Sequence, residues 1–199
     1  MKQTERQREI VEEALRLAAE GGLANVTIRK LADALGITEP AIYRHFASKA
    51  EIVKAMIRSF EFASDETIAK IPRQGLAGLE AFIFSRFELA AKNPPLAKVM
   101  FAEELFMGEP EYAEMILHMM HSHRDALRRM FLEARESGEI RRDIEPDMLF
   151  RIVFGPVRLL IKQWGMSGRA FDLEQTGAEL WESIKTLLHP IQSKGEQAL

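Results

Sequence analysis

The sequence contains no cysteine among its 199 residues, which excludes disulfide bonds, zinc–thiolate centres and cysteine nucleophiles. It also lacks an apolar run approaching the roughly 20 residues that a membrane-spanning helix needs. The first ten residues, MKQTERQREI, are charged and have no apolar core of the kind found in signal peptides. We therefore expect a cytoplasmic protein without membrane contact.

The chain also lacks the patterns that usually carry catalysis. Its sequence has no glycine-rich phosphate loop, no nucleophile–base spacing and no secure metal-binding constellation. An enzyme that uses a histidine–glutamate pair is the weakest hypothesis on these grounds. We expect a protein that is not an enzyme and that has no catalytic residue and no cofactor.

Excess charge of one sign is scarce, since the formal net charge is −3. It is unevenly distributed, because residues 1–55 carry a net charge of +1 and the rest of the chain carries −4. A mildly basic head on an acidic body is compatible with local phosphate binding and with poor nonspecific binding elsewhere. The charge therefore permits DNA binding without requiring it.

Apolar residues recur at helical spacing almost throughout the chain, and glycine or proline separates the segments. This pattern predicts an all-α fold with about nine helices and no confident strand. Three helices are predicted within the first 50 residues, the first of them ending at Gly21 and Gly22. The later helices are predicted at 49–71, 75–92, 94–107, 110–137, 146–166 and 172–188.

Residues 36–49, GITEPAIYRHFASK, have the composition of a helix-turn-helix recognition segment. Thr27 is placed to cap the second helix, and Thr38 to cap a short third helix. In such a unit the second helix of the pair enters the major groove of DNA. Ile42 and Phe46 lie four residues apart and anchor its inner face. The polar side chains between them are left facing outward.

The outward residues have the chemistry that DNA recognition uses. Arg44 can bond a guanine edge or a phosphate, and Glu39 can accept from a cytosine amino group. Pro40 and Ala41 can contact a thymine methyl group. Groups suited to phosphate oxygens complete the predicted surface: Thr27, Arg29, Lys30, Thr38, Tyr43, His45 and Lys49. An ordinary helical corner covered by charged residues is the alternative that fits the same spacing.

From about Arg8 to Ile57 the sequence resembles the N-terminal domain of TetR-family transcriptional regulators. The matching segments are EGGL at 20–23, VTIRKLA at 26–32, GIT at 36–38, AIYRHF at 41–46 and SKAEI at 48–52. The combined Y-x-H-F-x-S-K pattern is specific, and it coincides with the predicted phosphate contacts.

The resemblance implies a dimeric repressor whose C-terminal body binds a small effector and thereby releases a palindromic operator. The implied organisation is a helix-turn-helix DNA-binding domain over 1–50, a connecting helix over 49–71, and a ligand-binding and dimerisation domain over 72–199. A TetR-like DNA-binding adaptor that acts through protein partners, with no small-molecule inducer, is the alternative.

The two helices predicted at 146–166 and 172–188 carry broad apolar faces. Such faces can close the chain's own core, or they can pair with their copies in a four-helix interface. We favour a homodimer, because the resemblance makes these the last two helices of a TetR-like body. The predicted interface residues are Ile152, Val153, Val157, Leu160, Trp164, Leu180, Trp181, Ile184 and Leu188.

The central helices are rich in phenylalanine and methionine, which favour either a packed core or an adaptable apolar cavity. We infer a small hydrophobic effector, aromatic or acyl-chained. The candidate ligand-binding residues are Arg86, Phe87, Met100, Phe101, Glu104, Met115, His118 and Met119. His118, His121 and His123 have a spacing that permits metal binding, but the sequence names no fourth ligand and we assign no metal.

Overall fold

The structure is a computed structural model that describes residues 3–71 and 74–190. These described residues form nine α-helices and no strand, as the sequence predicts. The helices are α1 Glu5–Asn25, α2 Ile28–Leu35, α3 Glu39–Tyr43, α4 Lys49–Lys70, α5 Gly75–Lys92, α6 Pro94–Met100, α7 Pro110–Glu136, α8 Pro146–Met166 and α9 Leu173–Leu188. A 3-10 turn at Glu103–Phe106 follows α6.

The first helix begins at a reciprocal cap and contains a break. Thr4 and Gln7 form a capping box in which each side chain bonds the other residue's backbone. Gly22 adopts a φ of 70°, a left-handed value that glycine adopts without a steric penalty, and Gly21 is also non-helical. The predicted end at these glycines is confirmed, although one further helical turn follows it to Asn25.

The segment predicted as one helix over 94–107 is divided in the structure. Asn93 caps α6 by accepting from the amide of Leu96 at 3.1 Å, and the helix ends at Met100. Ala102 then has non-helical dihedral angles before the 3-10 turn begins. No glycine or proline occurs between Pro95 and Gly108, so the sequence gives no local signal for this break.

The described residues form two compact units, the first comprising residues 3–66 with 89–121 and the second residues 67–71 and 74–88 with 122–190. In the first unit, one continuous apolar cluster joins α1–α4 to α6 and the first half of α7. Phe60 of α4 meets Phe106 edge-to-face, with ring centroids 6.1 Å apart. Lys54 of α4 also bonds Glu111 of α7 at 2.6 Å. The predicted DNA-binding head therefore shares its core with segments that follow residue 88.

The second unit has a separate core in which aromatic rings pack edge-to-face. The ring centroid of Phe154 lies 5.7 Å from that of Phe82 and 6.5 Å from that of Phe131. Helices α8 and α9 pack against each other, and Trp181 of α9 donates to Glu80 of α5 at 2.7 Å. These contacts place α5, α8 and α9 around one apolar centre.

No helix among the described residues is long and apolar enough to cross a membrane. The predicted functional boundary at residue 50 stays a prediction. Pro72, where the predicted second domain begins, lies outside the described residues.

Candidate nucleic-acid interface

Helix α2 begins and ends through local bonds that the sequence predicts. The hydroxyl of Thr27 accepts from the amide of Lys30 at 3.2 Å, which satisfies one of the donors at the start of the helix. At the other end Gly36 is left-handed, with a φ of 64°, and its amide bonds the last turn. These two caps fix the length of α2 and turn the chain into α3.

Helix α3 is a short element that is held by its inner face. Ile42 and Phe46 are buried in the same cluster as Leu31, as predicted from their spacing. Thr38 has the extended conformation of an N-cap, but its side chain makes no capping bond. Its hydroxyl therefore stays available to a ligand. Pro40 lies in the first turn, where no intrahelical donor is needed.

The predicted DNA contacts lie mostly on the outer side of this unit. Tyr43 is 51% exposed although it carries a large aromatic ring. The other exposed members of the set are Arg29, Lys30, Thr38, Glu39, Pro40 and Arg44, and the half-buried members are Thr27, Ala41, His45 and Lys49. The surface thus combines aromatic, basic and hydroxyl groups on two adjoining helices.

Some of these side chains already have partners. Lys30 bonds the side chain of Asn25, and Arg29 lies 3.9 Å from Asp33 in a fully solvated pair. Lys49 was predicted to face a phosphate, and its Nζ donates to the carbonyl of Leu23 at 2.7 Å. That bond ties the start of α4 to the last turn of α1. A lysine ammonium has three donors, so the bond to Leu23 is compatible with a further contact.

Gln7 is a residue of this region that sequence reasoning missed. Its Nε2 donates to the carbonyl of His45 at 3.1 Å, across 38 residues of sequence. The capping box predicts the pairing of Thr4 with Gln7, but nothing local in the sequence predicts the bond to His45.

The predicted effector residues divide between the two compact units. In the first unit Met100 and Met119 are buried members of the apolar cluster, and Phe101 and Met115 pack against it. Glu104 and His118 are exposed. The four apolar side chains thus serve the core that also carries α3.

In the second unit the most distinctive candidate is Arg86, with an exposed fraction of 6%. Its guanidinium carbon lies 4.7 Å from the centre of the Phe82 ring, and its Nε donates to Ser85 at 3.2 Å. Burial lowers the pKa of Arg86 to about 10, so the group remains charged at neutral pH. The neighbouring Phe87 is buried, and its ring contacts the ring of Phe84 edge-to-face. A positive charge therefore lies against the ring of Phe82 in this unit.

The predicted dimer residues fall into two groups by exposure. Six of them are buried within their own chain: Val153, Val157, Trp164, Trp181, Ile184 and Leu188. Because a side chain already covered in its own chain offers little surface to a partner, these six are reassigned to the core of the second unit. Ile152 is 38% exposed, and Leu160 and Leu180 are half-buried.

Helix α8 has a second apolar face, of which the predicted interface includes only Ile152. Its side chains recur at helical spacing and point to solvent: Met148, Ile152, Leu159 and Met166. Gly155 lies on the same face, and on α9 the exposed Leu187 follows the half-buried Leu180 by seven residues. Both helices therefore have apolar side chains on an exposed face as well as on a buried one.

The histidines of α7 do not form a metal site in the described part of the chain. No group of three or more histidine, cysteine, aspartate or glutamate residues arranged to hold a metal ion occurs there. His118 and His121 are exposed, as is Glu114 one turn earlier.

Comparison with known families decides the identity. Residues 10–56 match the family described as bacterial regulatory proteins, tetR family, and residues 56–188 match the C-terminal region of a YsiA-like protein. The second match alone spans more than half of the chain. The chain belongs to the TetR family.

Individual TetR relatives are similar over most of their length. The HTH-type transcriptional repressor KstR2 of Mycobacterium tuberculosis is 26% identical over 183 residues, which cover 87% of this chain and 88% of the relative. The fatty acid degradation regulator FadR from Bacillus halodurans has a TM-score of 0.82 at 18% identity, covering all of both chains. FadR from Bacillus subtilis, solved in complex with stearoyl-CoA, has a TM-score of 0.76 at 23% identity, covering 92% of this chain and 99% of that one.

As a TetR-family protein, the chain is a DNA-binding transcription factor and not an enzyme. Its relatives support a ligand-responsive repressor that binds operator DNA as a dimer, which is the function predicted from the sequence. They do not support the adaptor without an inducer.

Proposed function

We propose that residues 1–50 read a palindromic operator through the exposed side of α3, and that a hydrophobic effector with an anionic group releases it. The observation that carries the DNA contacts is the division of α3 and the three residues after it into a buried and an exposed side. Ile42 and Phe46 are buried, whereas Tyr43 and Arg44 face solvent. Arg44 and Glu39 are assigned to base edges, Pro40 and Ala41 to a thymine methyl group, and the remaining predicted residues of this surface to the phosphate backbone.

A dimer is needed because one short recognition helix reads too few base pairs. Two copies about one DNA turn apart read a palindrome, and the symmetric contact uses the same surface on both chains. The exposed faces of α8 and α9 supply an apolar surface of this kind. We assign the interface to Ile152, Leu159, Leu180 and Leu187, with Gly155 allowing close approach of the partner helix.

The effector class is inferred from Arg86 and from one relative. A buried guanidinium against the ring of Phe82 suits a ligand that combines an apolar chain with a carboxylate or phosphate group. The Bacillus subtilis FadR structure contains stearoyl-CoA, which has this combination. We therefore propose a long-chain acyl thioester or a similar amphipathic acid as the effector, acting in the cytoplasm on residues of the 72–199 domain.

The test measures operator binding with and without stearoyl-CoA. The operator is first selected from randomised duplex DNA by the wild-type chain, and its dissociation constant is then measured by fluorescence anisotropy. We expect stearoyl-CoA to weaken operator binding, whereas coenzyme A alone should have little effect. Unchanged affinity over the whole soluble range of stearoyl-CoA would exclude this effector.

Variants of Arg86 separate effector binding from DNA binding. Arg86→Met should raise the stearoyl-CoA concentration needed for release by about tenfold or more, because a charge-assisted contact is lost. Arg86→Lys keeps the charge without the planar guanidinium. The stearoyl-CoA concentration it needs for release should lie between those of wild type and Arg86→Met. Operator affinity without effector should stay at the wild-type value. Equal sensitivity to stearoyl-CoA in wild type and Arg86→Met would show that Arg86 does not contact the effector.

A further inference from the structure

One side-chain amide connects the start of α1 to His45, the second residue after the recognition helix. The Oε1 of Gln7 accepts from the amide of Thr4 at 3.0 Å, and its Nε2 donates to the carbonyl of His45 at 3.1 Å. The backbone N–H of Gln7 also donates to the Thr4 hydroxyl at 3.2 Å. Gln7 thus holds the cap of α1 with its oxygen and the end of α3 with its nitrogen.

The recognition helix needs such support because it is short. Helix α3 has five residues, far fewer than a helix needs to be stable on its own. Its apolar anchors, Ile42 and Phe46, resist its removal from the core, but hydrophobic burial has no directional preference. A hydrogen bond does have one. The anchors set which side of α3 faces the core, and the bond from Gln7 to His45 adds a directional restraint that narrows the remaining rotation.

We propose that Gln7 is a positioning residue for base readout. Its amide fixes the rotation of α3, and thereby the direction in which Tyr43 and Arg44 meet the major groove. The inference rests on the proposed function, since it requires that α3 reads base pairs. It does not require Gln7 itself to contact DNA.

Rotation of α3 has different consequences for the two kinds of DNA contact. A bidentate contact from arginine to a guanine edge has a fixed geometry, so it is lost when the helix axis turns. Phosphate contacts from long flexible side chains carry little sequence information and tolerate the change. Loss of the Gln7–His45 bond should therefore reduce discrimination between sequences more than it reduces binding to DNA in general.

The test compares two duplexes bound by the full-length chain. One is the operator selected from randomised DNA by the wild-type protein, and the other carries one substituted base pair in each half-site. Discrimination is measured as the dissociation constant for the substituted duplex divided by that for the operator. This ratio is determined for wild type, Gln7→Glu, Gln7→Met, Thr4→Val and Arg44→Ala. Gln7→Glu keeps an acceptor for the Thr4 amide but offers no donor to the His45 carbonyl. Thr4→Val removes the capping hydroxyl and leaves the Gln7 amide intact.

We expect the ratio to fall about tenfold in both Gln7 variants, which corresponds to the loss of one base contact. In Thr4→Val it should stay within about twofold of the wild-type value, because the bond to His45 remains. The added charge of Gln7→Glu weakens binding to both duplexes alike and cancels in the ratio. Gln7→Met has no charge and checks this cancellation.

The possible results distinguish this inference from the proposed function. If the ratio is unchanged in Gln7→Met but falls to about one in Arg44→Ala, the positioning role is wrong and the base-contact assignment is supported. If Arg44→Ala keeps the wild-type ratio, the assignment of Arg44 to a base edge is wrong. An equal fall in Thr4→Val attributes the effect to the cap of α1 and also contradicts a specific role for the Gln7 amide.

Discussion

The helix-turn-helix and the α8–α9 pair are both built from amphipathic helices. The sequence predicts which residues are exposed in the first region but not in the second. In the first, Ile42 and Phe46 are buried and Tyr43 and Arg44 are exposed, in agreement with the predicted inner and outer sides. In the second, six of the nine residues predicted to meet a partner lie in the chain's own core. Exposure in the first region thus follows from local residue spacing, whereas in the second it depends on tertiary packing.

The difference follows from the number of apolar faces on each helix. Helix α3 has one pair of apolar anchors, so its remaining side chains face outward by necessity. Helix α8 has two apolar faces, one containing Val153 and Val157 and the other containing Ile152 and Leu159. Hydrophobic spacing locates both faces but does not say which of them meets the chain's own core.

The largest expected effect is the loss of dimerisation and operator affinity on substitution of Leu159, which is 56% exposed on α8. Leu159→Glu places a charge in the proposed symmetric interface and should shift the protein to a monomer, because unpaired charges are costly to bury. Operator affinity should then fall by about 10²–10⁴-fold, since two linked half-site contacts become one. Analytical ultracentrifugation and operator titration measure the two quantities.

Leu159→Met is the matched control, because it keeps the position apolar and flexible. It should remain dimeric and bind the operator like the wild type. A Leu159→Glu protein that is still dimeric would exclude the exposed face of α8 as the interface.

The next largest effect is on the free energy of unfolding. It contrasts two apolar residues three positions apart on α9: Ile184 is 2% exposed and Leu187 is 59% exposed. Ile184→Ala should lower the free energy of unfolding by about 2–5 kcal/mol, because it leaves a cavity in the core. Leu187→Ala should change it by less than about 0.5 kcal/mol at the monomer level, but it should weaken the dimer. Denaturant unfolding at several protein concentrations separates the two effects. Equal destabilisation by both variants would contradict the assignment of the two faces.

The sequence predicts most helix bounds because their signals are local. Gly36 ends α2, and the helix predicted at 75–92 has those bounds in the structure. The break after Met100 was not predicted, since no glycine or proline marks it. The bond from Gln7 to His45 and the shared core of α1 and α6 also depend on contacts between distant segments, which helical periodicity does not encode.

The third prediction concerns base recognition by Arg44. Arg44→Ala should weaken operator binding by about 1–3 kcal/mol and relax the preference for one base pair in each half-site. Arg44→Lys keeps the charge without the bidentate fork, so it should recover general DNA affinity but not the base preference. Binding to the selected operator and to its substituted copy gives both values. Full base preference in Arg44→Lys would assign this side chain to a phosphate instead.

The smallest expected effect separates two roles of Lys49. Its Nζ donates to the carbonyl of Leu23 at 2.7 Å, and it was predicted to contact a phosphate. If Lys49→Met removes one phosphate contact per protomer, the slope of log affinity against log salt should become shallower by about 0.9 for each contact. The affinity should fall alike for all sequences, because a phosphate contact carries no base information.

A purely structural Lys49 gives a different result. The melting temperature of Lys49→Met would then fall while the salt slope kept its wild-type value, since only the bond between α1 and α4 would be lost. Lys30→Met is the matched comparison, because Lys30 is more exposed and bonds the side chain of Asn25 rather than a backbone carbonyl. We expect Lys30→Met to change the slope with little effect on melting, and Lys49→Met to change both. A Lys49→Met slope equal to that of the wild type would confine this lysine to the fold and leave the phosphate contacts to α2 and α3.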